Sequence, residues 1–505
     1  MSTKFPIQLN DFLKSDFNLL VFFVLGFLLS FSLPPYNYVS LCFLVFPILL
    51  YVLKINQSRN SKSFFLFGTL FSFGYFFSNL YWISNSLNFD PEVSILKPFA
   101  ILGLPFCLSL FYGLGFYFLK KYFRFDFFFI LSFSIILSLV EYLRSYITGF
   151  SWNLFAYALS DELESIQILN IIGTFGLNFL AILFFCFPFL FFCKSKTRSI
   201  IRIIAFIILI FANYFYGSSR LETKLIKKNQ NILIVQPNES LLEIINYPED
   251  YIDNLIKISN PKIQKDNTIF LWPEGSYSFL KQNNFSNIIK KNFRDNQKII
   301  LGGNTIDENR IYNTFLVYNS NGKQIDYYRK IHLVPFGEFI PFVNLLSKLN
   351  LKKVTFGYQS FSRGNNREVL KINDNKILPL ICYEIINTGN INLNRQHYEL
   401  ILNISEDAWF SRSIGTHQHF AHSIFRSIEE GKHIFRSTNQ GISSSINPLG
   451  KIIFKSNMSK QSIYIGDYYL LNYKTIFSII GNLMFFLLIF FSLLIIIFSK
   501  RYFKL

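Results

Sequence analysis

The fold class this sequence predicts is a polytopic α-helical membrane bundle with a water-soluble α/β domain inserted into it. Three observations predict it. The chain is 51% hydrophobic and only 16% charged, too few charges for a soluble protein of 505 residues. Its apolar residues, 63 Phe among them, gather into runs long enough to cross a bilayer. From Asn229 the pattern changes to short β-branched segments alternating with polar, helix-compatible ones, until a last apolar run near the C-terminus.

A hydrocarbon core of about 30 Å needs about 20 mostly apolar residues per helix. Eight runs qualify, at about 17–33, 37–53, 63–84, 98–119, 126–143, 166–193, 199–216 and 475–499. The first offers no small-x-small cleavage site at Phe31–Pro35 and is read as a span rather than a cleaved signal peptide. Cations mark alternate loops: Lys4 and Lys14; Lys54, Arg59 and Lys62; Lys120, Lys121 and Arg124; Lys194, Lys196 and Arg198; Lys500, Arg501 and Lys504. The other loops are poor in them. From Asn85 to Lys97 the one Lys, Lys97, stands against Asp90 and Glu92, and Arg144 stands against Asp161, Glu162 and Glu164. An excess of cations on the cytoplasmic side then puts both termini in the cytoplasm. It puts 217–474 on the opposite face of a bacterial plasma (inner) membrane, the periplasm or outer surface. The expected domains are 1–220 with seven spans, a soluble domain 221–472, and a last span with a basic tail, 473–505. The net charge of +18 reflects these flanks and gives no dense basic tract for nucleic acid.

Within the insert, strands are expected at Asn231–Gln236, Thr268–Trp272, Ile299–Gly302, Thr314–Tyr318, Lys376–Cys382 and Glu399–Ile404. Helices are expected at Pro248–Ser259 and His417–Lys432. Asn319–Gly322 and Asn447–Gly450 read as hairpin turns. No sequence repeat is visible. Gly302-Gly303 lacks the Lys-Ser/Thr of a phosphate loop.

Of the five cysteines, only Cys382 lies outside the apolar runs. A lone thiol in a soluble domain has no disulfide partner there; it is buried filler or a nucleophile. It ends an apolar strand, as Glu274 follows one at Ile269–Trp272 and Lys330 follows Tyr327–Arg329. Strand ends in α/β folds are where side chains converge on a pocket. A carboxylate, an ammonium and a thiol suffice for acyl transfer. Glu274 can take the thiol proton, and Lys330 can favour the thiolate and the oxyanion. Singly, each residue also reads as a turn carboxylate, an edge-strand cation or core filler.

Their flanks carry a resemblance. Trp272-Pro273-Glu274, Arg329-Lys330-Ile331-His332-Leu333-Val334-Pro335-Phe336-Gly337-Glu338-Phe339-Ile340-Pro341 and Ile381-Cys382-Tyr383-Glu384 resemble the nitrilase or carbon–nitrogen hydrolase superfamily. The long second motif, between membrane spans, resembles the apolipoprotein N-acyltransferases. The likeness extends over nearly the whole chain. It includes Gly74-Tyr75, Tyr81-Trp82, Glu141–Arg144, Thr148–Asn153, Val235–Asn238, Asn403–Phe410 and Arg436–Ser443. The resemblance implies a nitrilase-like αββα sandwich on the outer membrane face, with Glu274 as general base, Lys330 as electrostatic stabiliser and Cys382 as nucleophile. It implies a supporting role for Glu338 and a pocket shaped by Tyr383 and Glu384. It implies a ping-pong transfer of an acyl chain from a phospholipid such as phosphatidylethanolamine to the N-terminal amine of a diacylglyceryl-cysteine apolipoprotein, by a monomer without metal or organic cofactor. Family members usually have a Trp after the Gln-x-Asn motif; here Tyr247 takes that place. Glu406, Ser411 and Thr416 stand where Asn, Gly and Pro are common.

Other readings stay open beside this one. A membrane-tethered amidase would use the same trio. A transporter is disfavoured by spans with few mid-membrane charges. His417, His419 and His422 invite a metal reading, but His417 lies about 200° from His419 around a helix and no cysteine is near. Glu141 and Arg144 are not expected to face lipid; they pair with each other or meet a headgroup. Phe336, Phe339 and Phe342 are candidates to dip into the membrane interface or to serve as core.

Overall fold

A computed structural model describes residues 18–503 apart from 90, 92, 124, 126–127, 193–195, 278–281, 341–359 and 393. Phe342, Asp90, Glu92, Lys4, Lys14, Arg124, Lys194 and Lys504 lie outside the described residues, as do Cys193 and Pro341. The chain forms two compact units, 1–82 with 98–222 and 480–505, and 83–97 with 223–479.

The first unit is helical: α1 (Asn18–Leu29), α2 (Ser40–Ile55), α3 (Ser61–Leu80), α4 (Leu104–Tyr122), α5 (Phe129–Thr148), α6 (Leu169–Phe185), α7 (Lys196–Leu221) and a C-terminal helix, Leu483–Phe503. Among the described residues, five helices are long and apolar enough to cross a membrane: Ser61–Asn88, Ser94–Tyr122, Phe129–Thr148, Leu169–Phe191 and Ile203–Leu221. Leu19–Ser32, Ser40–Ile55 and Leu483–Phe498 are shorter apolar helices. Small residues let backbones approach where no hydrophobic force acts between helices. Gly26 and Gly74 do this between α1 and α3: a Cβ on Gly74 would stand 2.1 Å from the Phe23 carbonyl oxygen. Glu141 and Arg144 pair with each other, fully buried, with Tyr112 donating to the same carboxylate. Arg144 also donates to the carbonyls of Phe150 and Trp152 at 2.8 and 2.7 Å, which fixes the chain leaving α5.

The second unit is a sandwich of two six-stranded sheets. Its strands are β1 (Ile226–Gln236), β2 (Ile269–Leu271), β3 (Lys298–Asp307), β4 (Arg310–Asn319), β5 (Gln324–Arg329), β6 (Leu370–Ile372), β7 (Asn375–Ile381), β8 (Leu400–Ser405), β9 (His433–Thr438), β10 (Ser444–Ile446), β11 (Ile452–Lys455) and β12 (Ser462–Leu470). The orders are β12-β1-β2-β3-β4-β5 and β11-β10-β9-β8-β7-β6. Each sheet holds a parallel triplet, β1-β2-β3 or β7-β8-β9, with an antiparallel strand on each side. The topology therefore repeats although the sequence does not.

Alternation builds the layers. Leu233, Val235, Phe270, Trp272, Ile299 and Leu301 share a core with Tyr251, Ile252 and Leu255 of a helix (Pro248–Ser259) and with Phe285 and Ile289 of another (Gln282–Asn292). On the second sheet, the buried helix Ile414–Glu430 starts at Ser413, whose side chain accepts from Gly415 N, and stops at Gly431 (φ +61°). Both expected hairpin turns join antiparallel neighbours, β4 to β5 and β10 to β11. Residues 83–97, expected within the 1–220 membrane domain, group with the sandwich. Phe89 packs edge-on to Trp409, ring centres 5.0 Å apart, and Asn85 donates to the Phe410 carbonyl at 3.2 Å.

Candidate active site

Strand β2 ends at Leu271, and Pro273 turns the chain so that Glu274 lies against β3. The turn needs glycine beside it: a Cβ on Gly302 would stand 2.5 Å from the Glu274 Cα. Gly302 N donates to the Pro273 carbonyl, and Tyr277 N donates to the Gly302 carbonyl, each at 3.0 Å. That is what Gly302-Gly303 is for. The Glu274 carboxylate is buried. Its Oε1 accepts from Asn313 Nδ2 at 2.7 Å and from Lys330 Nζ at 3.4 Å; its Oε2 accepts from Glu406 N at 3.0 Å.

Lys330 follows β5 and is fixed by backbone bonds to Asn313 and Gly364. Its ammonium is 1% exposed and lies 2.9 Å from Glu338 Oε1. Burial would strip its proton, but Glu274 and Glu338 outweigh that and hold it well above the usual lysine range. Glu338 accepts from Asn313 Nδ2 at 2.8 Å and from Val334 N at 2.9 Å. One ammonium and one amide thus tie two buried carboxylates together. Burial, followed by the pull of Lys330 the other way, leaves Glu274 above the ordinary carboxylate range.

Cys382 stands just past the end of β7 with φ +50°, a left-handed conformation that a non-glycine residue adopts at a cost. Such a kink lifts a nucleophile off the strand, as in other strand-to-helix nucleophile turns. The thiol is buried and hydrogen-bonded to Glu274. Burial and then the Glu274 charge push it up, with Lys330 opposing, so the resting group is a neutral thiol. Glu274, Lys330 and Cys382 come from three separate strand ends into one site.

Glu384 does not face that site. Its carboxylate ion-pairs with Arg367, fully buried, and accepts from Tyr328 Oη at 2.6 Å, Ile331 N at 3.0 Å, His332 N at 3.2 Å and Ile381 N at 2.9 Å. It is a bracket between the segment after Lys330 and the backbone entering Cys382. Burial alone would raise its pKa; Arg367 and His332 reverse this and lower it. Tyr383 is buried beside the nucleophile. Tyr247 is not brought to the trio: its ring is 62% exposed at a helix junction. Phe336 is exposed with φ +60°, and Phe339 is half-buried beneath the Arg363 guanidinium.

Sequence reasoning missed a second polar cluster. Asp407, in the turn after β8, accepts from Arg436 Nη2 at 2.9 and 2.8 Å and from Ser405 Oγ at 2.8 Å, and lies 3.0 Å from His419 Nδ1. The signals were a charge in a buried strand, Arg436, and an Asn, Asn313, inside an apolar one. His419 of the histidine trio thus belongs to the Asp407 cluster.

Residues 25–187 match the family model of the apolipoprotein N-acyltransferase N-terminal domain, and residues 285–470 match that of carbon-nitrogen hydrolase, beginning just after Glu274. The chain is 30% identical over 472 residues to an apolipoprotein N-acyltransferase of Bradyrhizobium diazoefficiens, covering 88% of each chain. It is 30% identical over 499 residues to one from Rickettsia typhi, covering 94% of this chain and 97% of that one. A relative of the same name from Rhodopseudomonas palustris is 29% identical over 505 residues, with 94% of each covered.

Proposed function

The chain belongs to the apolipoprotein N-acyltransferase family, and we propose that it transfers an acyl chain from a membrane phospholipid to the N-terminal amine of a diacylglyceryl-cysteine apolipoprotein. One observation carries the chemistry: a buried thiol hydrogen-bonded to a carboxylate that is itself ion-paired to a buried ammonium. Glu274 accepts the Cys382 proton as sulfur attacks the ester carbonyl. The C–O bond breaks, and the proton passes from Glu274 to the leaving lysophospholipid oxygen. In the second half, the acceptor amine attacks the thioester, a C–N bond forms, and the C–S bond breaks. Glu274 takes an amine proton and returns it to sulfur. Lys330 stays charged throughout and faces the charge that moves between sulfur and carbonyl oxygen. Because the resting thiol is neutral, the nucleophile exists only as the proton leaves. A buried site then limits loss of the thioester to water.

The match of 25–187 to the acyltransferase N-terminal domain favours transfer between lipids over a membrane-tethered amidase. Phosphatidylethanolamine as donor, a monomeric state and the absence of a cofactor are part of the same reading. So is a topology of eight spans with both termini in the cytoplasm and the sandwich outside. Three features support that topology. Cations mark alternate loops. Five long and three shorter apolar helices supply the spans. Residues 83–97, between the α-helices Ser61–Leu80 and Leu104–Tyr122 (third and fourth), group with the sandwich that follows the seventh, and both positions are odd in the count.

Intact-mass spectrometry of detergent-purified protein with phosphatidylethanolamine, beside Cys382→Ala, tests it. The expected result is a gain of one acyl chain in the wild type alone, discharged by a diacylglyceryl-cysteine peptide. A gain that clears in water without peptide would make this a lipid hydrolase. No gain, with thiol reagents also failing at Cys382, would sink the nucleophile assignment.

A further inference from the structure

A thiol this deeply buried needs more help than one shared ammonium. Lys330 already serves Glu274 and Glu338. The register of the second sheet places another donor at sulfur. Strands β7 and β8 run parallel with Ile381 opposite Ile404, so Cys382 and Ser405 are the next residues on neighbouring strands. The Ser405 hydroxyl is close enough to the Cys382 side chain to favour its charged form, against the pull of burial. It also lies 2.8 Å from Asp407 Oδ1 and 3.3 Å from Arg436 Nη2, and all of these groups are buried.

A hydroxyl has one proton to give. Beside a neutral thiol, the better acceptor is the Asp407 carboxylate. Once Glu274 holds the thiol proton, sulfur becomes a charged acceptor at the same oxygen. Asp407 can release the Ser405 donor at that moment, because Arg436 and His419 still hold its carboxylate. We propose that Ser405 is a further catalytic residue, whose hydroxyl turns from Asp407 to the Cys382 thiolate during attack on the ester and again as the thioester is cleaved. No proton is transferred from Ser405; it donates a hydrogen bond only. The proposal rests on Cys382 being the nucleophile.

The test is the rate of Cys382 alkylation by iodoacetamide against pH, with single-turnover acylation by phosphatidylethanolamine, both read by intact mass on the full chain in detergent. Ser405→Ala is expected to slow acylation roughly ten- to a hundredfold and move the alkylation profile upward by about 1–2 pH units, as loss of one donor to a developing charge would. Ser405→Thr is expected to restore both. A folded Ser405→Ala with the wild-type profile and rate overturns the proposal and leaves Cys382 standing. Wild-type protein that neither alkylates nor acylates at Cys382, judged against Cys382→Ala, overturns the nucleophile reading itself. If Ser405→Ala does not melt cooperatively, Ser405→Thr and Ser405→Val make the same comparison at constant shape. Thr is expected to be at least tenfold faster; equal rates, or loss of fold in both, overturn the role.

Discussion

Replacing Asn313 with Ala should move the acid limb of acylation to higher pH. Its amide donates to Glu274 Oε1 at 2.7 Å and to Glu338 Oε1 at 2.8 Å, and it is buried. A hydrogen bond to a charged group is worth about 1.5–3 kcal/mol, and one pH unit of displacement in a pKa corresponds to about 1.36 kcal/mol. Removing the donor from Glu274 should therefore raise its pKa by about 1–2. The sign follows from the role. Glu274 works as a carboxylate, so activity is lost as pH falls through its pKa. That pKa already lies above the ordinary range because of burial. On the acid limb the variant should acylate about tenfold more slowly for each pH unit by which the limb moves, and it should converge on the wild type at high pH. The assay is single-turnover acyl-enzyme formation by intact mass from about pH 5 to about pH 9, with thermal melting to confirm fold. A folded variant whose acid limb stays within about 0.3 pH units of the wild type would refute Glu274 as the titrating base or Asn313 as its tuner.

Arg144→Ala should leave the buried Glu141 carboxyl without its cation in the helical unit, at a cost of about 3–5 kcal/mol, and should be read as loss of a monodisperse, cooperatively melting protein. Glu141→Gln with Arg144→Met should recover much of it; equal instability of single and double variants would refute the pair. Glu384→Gln should strand Arg367 and loosen the bracket between Ile331 and Ile381, lowering kcat with little change in KM. An unchanged kcat would return Glu384 to a bystander. His433 accepts from Tyr469 N at 3.1 Å, its Nε2 lies 2.9 Å from Ser445 Oγ, and burial pushes its pKa down to about 3. A folded pKa below the unfolded value means that stability present at neutral pH is lost as pH falls from about 6.5 towards 3, by up to ~4 kcal/mol. His433→Gln should melt lower at about pH 7 and show a shallower decline across that window in a pH series of melts. Parallel slopes would refute it.

How much of this could be read from the sequence follows from where the information sits. Apolar runs report membrane helices because lipid leaves few alternatives. Glu274 and Cys382 were legible because each lies at the end of an apolar strand, and Lys330 because a long motif runs on from it. The edge strands β5 and β11 were not: β5 is mostly polar, and β11 offers only Ile452-Ile453-Phe454, too short a run to stand out. The short strand β10, Ser444–Ile446, is buried but serine-rich, which hides it from propensity. The helix Gln282–Asn292 shows only Phe285, Ile288 and Ile289 against a polar background. Asn313, Ser405 and Asp407 act through neighbours distant in the chain, and only register brings them together. The attachment of 83–97 to the sandwich hangs on Phe89 and Asn85, two contacts with no local signature. Tyr247 was placed by position after a motif, and position does not bury a ring.

The repeated topology explains why the site holds two carboxylates of opposite temper. In each sheet the middle strand of the parallel triplet, β2 or β8, leads into acidic residues, Glu274 after β2 and Glu406 then Asp407 after β8. Glu406 N donates to Glu274, so the two turns meet at one pole of the sandwich. Their surroundings then separate them. Glu274 shares one ammonium with Glu338 and sits above the ordinary carboxylate range, as a base near neutrality must. Burial would raise Asp407 as well, but Arg436 and His419 hold it far below that range. An anion so stabilised is too weak a base to take a proton from a thiol. It can do what a fixed charge does: orient Ser405. Pairs of acids driven apart in this way assign their own roles. Here the assignment gives proton transfer to the sheet that lacks the nucleophile and positioning to the sheet that carries it.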